Sequence, residues 1–146
     1  MTQDECEKRD WNELASNIGR WTLIGGAILK PILRGDGRAA MRAAVVALTA
    51  GAMWQTAKAA VDRWRPDGED DNSFPSGHTA DAAAAAASLV HDPASHPMSD
   101  VAVQALALAT GVARWRCRKH HIGDVAAGIV IGLLAEKAVR VVLPWR

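Results

Sequence analysis

The chain has no tyrosine and one phenylalanine, although it carries six tryptophans and is 49% apolar. So thin a supply of β-favouring aromatics, beside abundant alanine, excludes a β-sandwich and predicts helices. There are two cysteines, Cys6 and Cys117. One pair cannot make a disulfide framework, neither stands in zinc-ribbon spacing, and both are expected as free thiols. Excess charge of one sign is also lacking: a net charge of +1 argues against a nucleic-acid partner recruited by bulk charge. The opening MTQDECEKRD has no apolar run ending at a small-residue cleavage site, so no cleaved signal peptide is expected. At 146 residues there is room for one domain, with an N-terminal segment and helix over 1–38 and a core over 39–146.

Five apolar stretches are present, and their spacing predicts helices over about 11–33, 39–64, 78–91, 100–118 and 121–143, an antiparallel all-α bundle. Gly35-Asp36-Gly37 and Arg65-Pro66-Asp67-Gly68 break the first two. The acidic segment 66–75 and the proline-containing segment 91–100 read as loops, with Glu69, Asp70 and Asp71 solvated and His91 and His96 on the surface. The run Ala82–Ala87 reads as a packing face. The longest uncharged stretches, 43–57 and 101–113, fall short of the ~18 residues that mark a membrane span. Trp21, Trp64, Trp115 and Trp145, however, lie at helix ends, as in an interfacial belt. Glu136, Lys137 and Arg140 fall in the last turns of helix five, where long side chains can snorkel. Composition alone leaves lipid embedding and a buried soluble core both open.

Chemistry-bearing residues gather in three places. Lys58 and Arg65 flank the end of helix two, where cations complement the helix dipole. Ser76, Gly77 and His78 open helix three, where free backbone N–H groups and the positive dipole end favour an anion; a plain Ser N-cap explains the same serine. Between helices four and five come Arg114, His120 and Asp124. Four apart on an opening helical turn, His120 and Asp124 would share a face, and the carboxylate would accept a proton from one imidazole nitrogen, freeing the other as nucleophile or base. His121 points about 100° away and reads as rim. In an antiparallel bundle all three places fall at one end, so Lys58, Arg65, Ser76, Gly77, His78, Arg114, His120 and Asp124 converge on one pocket suited to gripping and transferring a phosphoryl group.

These residues resemble the signature of the type 2 phosphatidic acid phosphatase superfamily: Lys, six residues, Arg-Pro; Pro-Ser-Gly-His; Ser-Arg, five residues, His, three residues, Asp. Here the parts are Lys58 to Pro66, Pro75 to His78, and Ala113-Arg114 to Asp124, with the spacings kept. Ala113 replaces a frequent serine, and the N-terminal helix lies outside the likeness. The resemblance implies that His120 attacks phosphorus to give a phosphohistidine, that Asp124 orients it, and that His78 protonates the leaving oxygen and later activates water. Lys58, Arg65, Ser76, Gly77 and Arg114 would hold the phosphate oxygens. Neither a metal nor a cofactor is expected, because fixed cations neutralise the moving charge.

Many members of that superfamily are membrane enzymes acting on lipid phosphates or polyprenyl pyrophosphates, while soluble acid phosphatases and vanadate-dependent haloperoxidases share the core. The resemblance therefore implies a lipid phosphate substrate and a multi-pass protein of the inner cell membrane, with transmembrane helices and an extracytoplasmic active site. The chain is shorter than six-span members, which points to a minimal core or to a homo-oligomer. A zinc hydrolase using His78, His120, His121 and Cys117 lacks ligand spacing. A non-catalytic binder of anions or lipid headgroups would not need both an acid and a nucleophile.

Overall fold

A computed structural model describes residues 3–144, with side-chain surroundings from residue 10 onward. Trp145 and the side chain of Cys6 lie outside the described residues. Five helices follow one another: α1 Gln3–Leu33, α2 Gly37–Ala60, α3 Gly77–Val90, α4 Pro97–Arg116 and α5 Ile122–Val142. Between α2 and α3 the backbone makes one isolated bridge, Arg63 to Asn72, and there is no strand among the described residues. The all-helical bundle expected from alanine richness is the architecture found.

Two boundaries depart from expectation for physical reasons. α1 starts well before Trp11, because the polar opening is built of strong helix formers that an apolar periodicity does not register. α2 stops at Ala60, where Val61 turns extended at φ −138°, ψ 104°. β-Branched Val61 and the approach to Pro66 both disfavour further helix. The segment then pairs with its own return: Arg63 N–H donates to the Asp71 carbonyl at 2.8 Å and Ser73 N–H to the Arg63 carbonyl at 2.9 Å. This lays the loop over one end of the bundle.

α3 sits at the centre and packs against all four other helices. Its residues Ala82–Ala87 are buried on every side, the packing role expected of them. One apolar cluster joins Leu23 and Ala27 of α1 to Ala43, Ala86 and Ala107; a second joins Val46 and Ala50 of α2 to Ala84, Ala135 and Val139. α5 crosses α3 with backbones almost touching. A Cβ on Gly128 would lie 2.6 Å from the Ser76 carbonyl oxygen, and one on Gly132 would lie 2.4 Å from that of Ala80. Only glycine permits such an approach.

At the other end of α3, Arg34 Nη2 meets the buried Asp92 carboxylate at 2.7 Å, which fixes the C-terminal part of α1. Glu136 does not snorkel outward as expected. It is 2% exposed, held by Arg140 at 3.1 Å and His91 at 3.3 Å, so a buried carboxylate has collected partners. His96 is exposed and accepts the Met98 N–H as the cap of α4.

The multi-pass, transmembrane expectation is not met: among the described residues no helix is long and apolar enough to cross a membrane. Charges recur too often, with Arg20 and Lys30 in α1, Arg42 and Lys58 in α2, and Asp124 and Glu136 in α5. Trp21, Trp64 and Trp115 are nonetheless exposed, at 59%, 66% and 49%.

Candidate active site

Under the loop that follows α2 lies a cavity of about 180 Å3, lined by Arg20, Trp54, Lys58, Arg65, Gly77, His78, Arg114 and His120. Six of the residues singled out from sequence are therefore brought together: Lys58, Arg65, Gly77, His78, Arg114 and His120. Ser76 and Asp124, both fully buried, stand behind the wall. The Ser76 hydroxyl pairs with that of Thr79 at 2.9 Å and does not cap α3, so the first-turn N–H groups of that helix lack a side-chain partner from Ser76.

The cations are held in different ways. Lys58, on the last turn of α2, donates to the Asn72 carbonyl, and burial, with Arg65 nearby, keeps its pKa below the ordinary lysine value. Arg65 is fixed by Asp70, 2.8 Å from Nε, and by Glu69, 3.3 Å from Nη1. Glu69 also binds Lys119, which Asp67 approaches at 3.3 Å. Glu69 and Asp70 thus frame Arg65 while staying largely solvent-exposed, as expected of the acidic loop. Arg114 is 5% exposed; Glu13 lies 3.8 Å from its Nη1, yet its Nε and Nη1 make no hydrogen bond. Unused buried donors carry a desolvation penalty that an anion in the cavity would relieve.

The expected pairing of His120 with Asp124 is replaced by a relay. His120 Nδ1 lies 2.6 Å from the Ser73 carbonyl oxygen. A carbonyl only accepts, so the proton sits on Nδ1 and the Nε2 lone pair is free. Asp124 accepts instead from the Ser73 hydroxyl at 2.5 Å, the His121 N–H at 2.8 Å and Arg63 Nη1 at 2.6 Å. The reason is local. α5 begins at Ile122 with His121 as its N-cap, so His120 lies in the preceding turn and the shared-face argument does not apply. The carboxylate caps the helix and steadies Ser73, and Ser73 holds the imidazole.

His78 Nε2 meets Asn17 Oδ1 of α1 at 2.7 Å. Burial first, and then the Arg114 and Arg20 charges, pull its pKa down from 6.5 to about 3. Burial first, and then Arg114, likewise lower His120 to about 4, against the raising effect of its Ser73 bond. Both rings are neutral near pH 7. His121 sits at the rim, as expected, with Nε2 3.0 Å from the Trp64 carbonyl, and the Cys117 thiol donates to the Arg114 carbonyl at 3.4 Å. Those two members of the suggested zinc set are committed to backbone oxygens.

Sequence reasoning missed Asn17, Arg20, Trp54, Arg63 and Ser73. The three-residue spacing of Asn17 and Arg20 puts them on one face of α1, but nothing local says what that face meets. Arg20 Nη2 binds the buried Asp81 at 2.7 Å, and the Trp54 indole N–H reaches the same carboxylate at 3.0 Å.

A helical bundle presenting cations, two neutral imidazoles and a helix N-terminus to one cavity defines an anion-handling protein of the phosphoryl-transfer kind. The chain belongs to the PAP2 superfamily, whose family model matches residues 67–146. It is similar to the lipid A 1-phosphatase of Porphyromonas gingivalis, with 39% identity over 85 residues, 58% of this chain and 19% of that protein. The chain thus spans about a fifth of the length of that curated relative. No solved structure matches it.

Proposed function

We propose that the chain is a phosphatase acting on the phosphate of a lipid, and that turnover passes through a phosphohistidine on His120 without a metal ion. The observation that carries this reading is the single cavity in which His78 and His120 face Lys58, Arg65 and Arg114. The free Nε2 of His120 attacks phosphorus as the bond to the leaving oxygen breaks. His78 delivers the proton that oxygen needs. Water then attacks the phosphohistidine, giving its proton back to His78, and inorganic phosphate leaves with His120 restored. Burial and, after it, the Arg114 and Arg20 charges keep His78 neutral; a phosphate dianion offsets those charges and favours the protonated ring that acts as the acid. Arg114, with its unpartnered donors, and the amide of Gly77 hold the oxygens, and Asp124 acts through Ser73.

A lipid substrate is supported by the likeness to a lipid A 1-phosphatase and by the exposed Trp21, Trp64 and Trp115, side chains suited to a headgroup region. The test is phosphate release from phosphatidate, a polyprenyl diphosphate and a soluble aryl phosphate in mixed micelles, with wild type beside His120→Ala. A loss on the order of 10³ or more is expected for the variant. Unchanged turnover in it would remove the mechanism, and activity confined to the aryl ester would remove the lipid.

A further inference from the structure

The α1 helix lies outside the signature segments, yet it lines the cavity. Asn17 and Arg20 project from one face of it: Asn17 holds His78 at 2.7 Å, and Arg20 enters the lining together with His78 and Trp54. Arg20 is anchored rather than loose. Its Nη2 is bound by Asp81, a residue 6% exposed whose other oxygen is taken by the Trp54 indole, and its ring neighbour Trp21 lies 4.8 Å from the guanidinium carbon. Its buried Nε has no hydrogen-bond partner. The anchor therefore aims the guanidinium, one of whose nitrogens is held by Asp81, along the cavity wall.

The cations divide between the two histidines. Lys58 comes from α2 and Arg20 from α1, while Arg114 acts on both rings. In the mechanism proposed above His120 attacks phosphorus and His78 serves the departing oxygen. Arg20 lies three residues from Asn17, which holds His78, on the same face of α1 and in the same cavity lining, and so stands on the leaving-group side.

We infer that Arg20 is a specificity-determining residue that binds a second phosphate on the leaving group, so that the site takes diphosphate esters in preference to monophosphates. This rests on the phosphatase reading above. In a diphosphate the departing group is itself an anion, and charge develops on its bridging oxygen where His78 and Arg20 meet it. A planar guanidinium matches two oxygens of such a group. The cavity of about 180 Å3 offers more room than one tetrahedral phosphoryl group fills.

The test is calorimetric binding of methylenediphosphonate and of methylphosphonate to the whole chain, alongside kcat/KM for the diphosphate and monophosphate esters of one alcohol. Wild type is expected to bind the diphosphonate more tightly. Arg20→Gln should weaken it about 10- to 100-fold and change methylphosphonate less than about 3-fold, the range for losing a charged hydrogen-bonding partner. Arg20→Lys, which keeps the charge without the fork, should fall between. Because Arg20→Gln leaves Asp81 buried without its ion pair, the double variant Arg20→Gln/Asp81→Asn provides a folded comparison with the same expected loss. Equal losses for the two ligands, or none, would overturn the assignment. Binding of neither ligand by wild type would overturn it together with the phosphatase reading. Full phosphate release by His120→Ala would strike the covalent mechanism alone and leave the Arg20 selectivity to be decided by the binding ratio.

Discussion

Replacing Gly132 by alanine adds one methyl group where α5 crosses α3. The new Cβ would stand 2.4 Å from the Ala80 carbonyl oxygen, 2.7 Å from the Ala84 nitrogen and 2.8 Å from the Ala83 Cβ. The first two are backbone atoms of a central helix and cannot swing away. To reach ordinary contact near 3.4 Å, α5 must move out by about 1 Å at this level. Overpacking of this kind costs roughly 1–3 kcal/mol, against a helix-propensity gain of about 1 kcal/mol for removing glycine. The outcome should depend on which term wins, and Gly26 of α1 separates them, since a Cβ there meets nothing within 4 Å. Gly26→Ala should raise stability by about 0.5–1 kcal/mol. Gly132→Ala should lower it by up to about 2 kcal/mol net, and phosphate release should fall as well, because α5 carries Asp124 and the turn that holds His120. Urea denaturation followed by circular dichroism gives the stabilities, and steady-state release gives the activity. A Gly132→Ala protein as stable as Gly26→Ala, with full turnover, would refute the claim that backbone contact sets the α3–α5 distance.

The pH dependence follows from the two depressed imidazoles. Between about pH 4 and 6.5 the unfolded chain binds protons that the folded site refuses, so stability should be constant above neutrality. It should then decline as pH falls through that window, by up to ~1.4 kcal/mol per pH unit for each histidine. Thermal melts across pH 4–8 check this, and saturating phosphate should flatten the curve; stability that rose on acidification would contradict the burial argument. The acid limb of kcat/KM should lie near pH 4, where His120 takes up the proton that silences its Nε2. Asp124→Asn removes the charge that three donors share, and a loss of about 3 kcal/mol is expected, with Tm lowered by roughly 6–12 °C. Ser73→Ala should reproduce much of its effect on kcat while leaving the Arg63 contact intact; a Ser73→Ala enzyme with unaltered kcat would show that the relay does not orient the imidazole.

How much of the site could be read from letters depends on how locally each residue is placed. His78 follows a helix start announced by Pro75-Ser76-Gly77, and Arg114 and His120 bracket a short turn, so helix ends alone bring them to one pole. Asn17 and Arg20 had no such marker, since their role depends on how α1 packs against α3. The partner of Asp124 was misread because a helix expected from 121 puts His120 on its opening turn, whereas α5 starts at Ile122 with His121 as its N-cap and leaves His120 in the turn before it. The loop acids are solvated as read, but composition cannot tell that two of them also grip an arginine across a tight return of chain. Apolar length was informative in the opposite sense: the short uncharged stretches of α2 and α4 reported a bundle whose charges are tied inward at Asp81, Asp124 and Glu136.

Ala82–Ala87 gives α3 flanks with no side chain longer than a methyl group. Such a surface has no rotamers to rearrange, so neighbours that lean on it are positioned by main-chain atoms. The spacing between His78 and His120 is then inherited from peptide geometry, much as the gap between two jaws is set by the pin they share. Outward-facing positions of the surrounding helices can vary widely in sequence while the reacting groups stay in register.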